Sequence, residues 1–86
     1  MVGRILVEER LAACVNILPA IKSIYTWEGA LTEDSEAAFF AKTTADKFEP
    51  LEKRVKELHS YSVPCIVAFS IIHGNPDYLK WVAETI

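Results

Sequence analysis

The chain has 86 residues, 51% of them apolar and 24% charged, with a formal net charge of −3; this is the balance of one compact domain, not of a disordered chain or a two-core protein. No broad basic field is available for nucleic acid, and no apolar run approaches the roughly 20 residues needed to cross a bilayer. Arg4, Glu8, Glu9 and Arg10 interrupt the opening apolar residues too early for a signal peptide, so a soluble cytoplasmic protein is expected, with no nucleic-acid or membrane partner.

The first element, GRILVEERLAACVN, spaces Ile5, Leu6, Leu11, Ala12 and Val15 three and four apart, which predicts an amphipathic helix running to Val15. It opens without a cap and reads as the second half of a longer helix. NILPAIKSIYTWEG follows, rich in β-branched and aromatic residues. Ile21, Ser23, Tyr25 and Trp27 alternate with Lys22, Ile24 and Thr26, and Pro19 sits near the start where no ladder donor is needed. A polar connection, EGALTEDSE, leads to a second strand, EAAFFAKTT, and the two make a long antiparallel hairpin.

TTADKFEPLEKRVKELHS switches to helical period, with Phe48, Leu51, Val55 and Leu58 as the buried stripe. Pro50 falls in the first turn, Thr44 or Asp46 is expected to cap, and Glu52 and Lys56 form an i,i+4 pair of favourable polarity. VPCIVAFSII is apolar at alternating and intervening positions alike, which predicts a strand covered on both faces. HGNPDYLKWVAETI supplies a turn at Gly74, Asn75 as cap, Pro76 at the first helical position, and a short helix bearing Tyr78, Leu79, Trp81 and Val82.

The order helix, strand, strand, helix, strand, helix becomes βαββαβ if one strand is placed in front. That is the ferredoxin-like arrangement of an α+β fold, with an extra C-terminal helix. The missing strand would be central, and each backbone group left unpaired beside it costs about 1–3 kcal/mol. Residues 1–86 are therefore read as one N-terminally truncated domain, unless another chain fills the gap.

The stretches EERLAACVNILPAIKSIYTWEG, EDSE, AKTT, VKELHSY, VP and HGNPDYLKWV, in this order and spacing, resemble the CutA family of divalent-cation tolerance proteins from about residue 4 to the end. The resemblance implies a ferredoxin-like subunit assembled into a homotrimer through its long hairpin, associated in some members with copper or other divalent metals. Animal members are linked to anchoring of acetylcholinesterase, so a protein partner is a further expectation. Two departures stand out. The family's first strand, which in some bacterial members bears a copper-binding cysteine, is absent. Where members read His-Pro-Tyr-Glu and then Pro-Glu, this chain reads His59-Ser60-Tyr61-Ser62 and then Pro64-Cys65, and two acidic oxygens are gone.

His59 ends the second predicted helix, where an imidazole can satisfy exposed carbonyls at the negative end of the dipole. The resemblance also makes it the one candidate metal ligand. Cys65, six residues on, is too distant along the chain to share a metal with His59 inside one subunit when ligands lie about 2.0–2.3 Å from the ion, though contact between subunits stays open. As a nucleophile with His59 as base, Cys65 is disfavoured by burial in an apolar strand. Cys14, among alanines and valine, reads as a small core residue; with no secretory signal both thiols are expected free, and no CxxC spacing supports a redox pair or zinc knuckle. His73 is read as a solvated turn residue, and Glu33, Asp34 and Glu36 as a solvated hairpin rim in preference to a hard-cation site.

Tyr25 and Trp27, with Tyr61 and Cys65, are the candidates for an intersubunit cleft or interface. By fold analogy with the trimeric PII signalling proteins, such a cleft can hold a small ligand. No glycine-rich phosphate loop and no nucleophile–base–orienter set is legible. The chain therefore reads as a trimeric binding protein of metal tolerance, not an enzyme, with copper or another divalent cation as ligand and no required cofactor. A PII-like sensor and a protein-anchoring scaffold are the alternatives.

Overall fold

In the computed structural model, residues 1–59 and 64–86 are described. The elements are α1 (Val2–Glu8), β1 (Cys14–Trp27), β2 (Ala30–Lys42), a 3₁₀ turn (Ala45–Lys47), α2 (Phe48–Leu58) and α3 (Pro76–Thr85). β1 and β2 pair antiparallel as a two-stranded sheet. At about 3.3 Å per residue the 14-residue β1 is about 46 Å long, and this hairpin sets the 45 Å long axis of the molecule.

Only the root of the hairpin is covered. Leu6 of α1, Ala12, and Leu51 and Val55 of α2 form the buried cluster, against which Val15, Phe39, Ala41 and Ile66 pack. The outer half projects, leaving Ile24, Trp27 and Leu31 at 62%, 52% and 78% exposure. α2 buries Leu51 and Val55 with Phe48 and Leu58 half-buried, as its apolar stripe predicts, and the Glu52–Lys56 pair stands 3.8 Å apart. Asn75 caps α3 as expected: the Asp77 N–H donates to its Oδ1 at 2.9 Å, with Pro76 opening the helix.

Four expectations are corrected. The first helix stops at Glu8 instead of reaching Val15. Arg10 adopts a φ of 59°, its N–H donates to Val7 O at 3.1 Å, and the Leu11 N–H donates to Leu6 O at 2.9 Å. This paired 5→2 and 6→1 pattern is a Schellman ending, with arginine where glycine is usual and Leu11 folding back toward the core beside Leu6. Ala13 then donates to Lys42 O at 2.8 Å and the sheet begins. Arg10→Gly is expected to raise stability by up to about 1 kcal/mol, because the left-handed conformation is costly for any residue with a Cβ. An unchanged or lower melting temperature would contradict this account of the helix end.

β2 starts at Ala30, earlier than the second predicted strand. Glu28 and Gly29, with φ of 51° and 79°, form a two-residue turn of the type I′ kind, so the polar residues Thr32 to Glu36 lie in the ladder and not in a loop. Neither Thr44 nor Asp46 caps the helix through its side chain. Instead the Thr44 hydroxyl donates to Asp46 Oδ1 at 2.5 Å and holds that carboxyl below its ordinary value.

The strand expected over 63–72 is not formed by residues 64–72, which are neither helix nor ladder. They are not covered on both faces either: Val67 is 66%, Phe69 84% and Ile72 83% exposed. The reason is that backbone pairing needs a neighbour. In a ferredoxin-like sheet that neighbour would be the central strand, and no described segment occupies its place. The helices and the hairpin nonetheless follow one another in the α+β order expected, with the strand expected over 63–72 lacking among the described residues.

Candidate functional site

The candidate site grows from the alternation along β1. Leu18 pairs with Ala38 and Ile21 with Glu36, so Pro19 and Ala20 stand opposite Ala37 alone. This bulge tolerates Pro19, which has no N–H to give, and shifts the alternation by one residue. Val15 and Ile17 face α1, where an atom added at Gly3 would touch both. Beyond the bulge, Ile21, Ser23, Tyr25 and Trp27 share the opposite face with Leu18. Without the extra residue they would lie on the same side as α1.

That face is polar between its aromatics. The Tyr25 hydroxyl donates to Asp34 Oδ2, and the Ser23 hydroxyl donates to Glu36 Oε1 at 2.7 Å. On the other face Lys22 lies 3.9 Å from Glu33. Each acidic residue of the run thus has a cross-strand partner, and pairs of this kind stabilise the ladder by about 0.2–1 kcal/mol each.

Tyr25 and Trp27 border a groove of about 1600 Å³ that passes the outer edge of β2 and is bounded on its far side by residues 64–71, Cys65 among them. Leu51 and Val55 of α2 line it, and His59 stands where it meets a smaller cavity of about 250 Å³ lined by Met1, Val2, Gly3, Ile17 and Phe39. The structure therefore brings four of the five candidates, Tyr25, Trp27, His59 and Cys65, to one groove. Tyr61 lies outside the described residues. The groove forms because residues 64–71 stand apart from β2 instead of pairing, and it occupies the place of the central strand that the order of elements lacks; the open sheet is expected from the sequence, whereas the gathering of these side chains along it is not.

His59 is the C-cap of α2, its N–H donating to Val55 O at 2.8 Å, and its side chain is half-buried. Cys65 is exposed, contrary to the buried position expected, because its segment has no sheet to cover it. Cys14 is half-buried with Sγ 3.8 Å from Asn16 Oδ1, and both thiols are free. Among the described residues no three His, Cys, Asp or Glu side chains are grouped to hold a metal ion, and no helix is long and apolar enough to cross a membrane.

The frame under the site is tied by Arg54 of α2, which reaches across to Glu9 just after α1. Its Nε donates to Glu9 Oε1 at 2.9 Å and its Nη2 to Oε2 at 3.0 Å. This two-pronged contact, with Glu57 adding to it, holds the guanidinium above its ordinary value. The Thr43 hydroxyl donates to Leu11 O at 2.8 Å and closes the same corner.

Comparison with known proteins places this geometry. The family model described as CutA1 divalent ion tolerance protein matches residues 1–85. The divalent-cation tolerance protein CutA of Thermus thermophilus is 53% identical over 83 residues, covering 96% of this chain and 81% of the relative. The CutA homolog of Xenopus laevis is 45% identical over 85 residues, and there the chain spans only 56% of the relative. Among solved structures, the T. thermophilus protein superposes with a TM-score of 0.95 at 52% identity, over 98% of this chain and 82% of that one. A PII-like CutA from Nostoc, in apo form, gives 0.90 at 31% identity, again over 98% and 82%. With a match from end to end and the same hairpin-and-helix frame, the chain belongs to the CutA1 divalent ion tolerance family.

Proposed function

We propose that this protein acts in divalent-metal tolerance or homeostasis as a cytoplasmic homotrimer, by binding and not by turnover, with copper as a cation it takes. The observation that carries the reading is the family match over residues 1–85, joined to relatives named for divalent-cation tolerance. Trimerisation is supported by the projecting outer half of the hairpin, whose apolar side chains Ile24, Trp27 and Leu31 are exposed in the single chain and are of the kind that self-association buries. In this reading His59 contributes one donor and the remaining ligands come from a neighbouring copy, since within one chain no set of three converges among the described residues.

Sedimentation equilibrium of the full-length protein is expected to return three times its chain mass, and a single-chain mass at all concentrations would sink the trimer. Titration with Cu(II) followed by visible absorption is expected to show a site weakened at least tenfold by His59→Ala. An identical isotherm for both proteins would remove His59 from the site. A PII-like sensor is the second reading, supported by the likeness to the Nostoc protein so named. It gains if the assembled protein binds a nucleotide or small carboxylate and Trp27→Ala abolishes that binding without dissociating the assembly.

A further inference from the structure

We draw no further inference here: the strongest candidate, the open apolar groove between the outer edge of β2 and residues 64–71, carries nothing because nothing in the structure shows what covers it.

Discussion

Replacing Leu6 by alanine is expected to lower the stability of the fold by about 2–5 kcal/mol, the range for removing a fully buried leucine side chain from a packed core. Leu6 has 0% exposure and sits among Ala12, Leu51 and Val55. It is thus the side chain through which α1 is seated on α2. The helix has seven residues, too few to persist without tertiary contacts. Losing the leucine therefore removes both its own burial and much of what holds the helix in place. In a small domain whose whole stability is about 5–15 kcal/mol, that is a large fraction. Leu6→Met keeps the volume and should cost less than about 1.5 kcal/mol. Urea unfolding at matched protein concentration checks both, because self-association would make the midpoint concentration-dependent. If Leu6→Ala unfolds at the parent midpoint, the seating described here is wrong.

The second large effect is expected at Gly3, where α1 crosses β1. A Cβ built there would lie 2.9 Å from Val15 Cγ1 and 3.7 Å from Ile17 Cδ1. The first distance is inside van der Waals contact, and Val15 cannot readily yield, since a β-branched side chain has little χ1 freedom. Alanine in place of a helical glycine normally gains about 0.5–1 kcal/mol. Overpacking costs about 1–3 kcal/mol, so the clash should win, and Gly3→Ala should destabilise by about 1–2 kcal/mol net. A double-mutant cycle separates this from a generic helix effect: in a Val15→Ala background the same substitution should become neutral or stabilising. A Gly3→Ala penalty that persists with Val15 shortened would rule out the contact as its cause.

How far the fold could be read beforehand depended on how local each signal was. The apolar stripe of α2 repeats within a few residues, and Asn75-Pro76 is a start signal contained in the segment it starts. The pairing of two β-rich runs as a hairpin was legible for the same reason. The end of α1 was not, because the residue in the left-handed position is Arg10 and not glycine, and the spacing of Leu11, Ala12 and Val15 mimics another helical turn. The start of β2 was hidden similarly: Glu28-Gly29 is a weaker turn signal than Asn-Gly, and a ladder of Thr32, Asp34 and Glu36 looks like a polar loop until its partners are known.

The candidate site divides along the same line. Alternation placed Tyr25 and Trp27 on a common face, and helical period placed His59 at a helix end. The sequence by itself thus determined the family resemblance, the α+β order of elements and which residues travel together. Only the tertiary structure decided that a bulge at Pro19 and Ala20 turns the aromatic face away from α1, that Cys65 is exposed, and that residues 64–72 form no ladder. Those outcomes depend on pairing and burial between segments far apart along the chain, where a hydrogen bond or an apolar contact exists only if its partner arrives. No periodicity within either segment records whether it does.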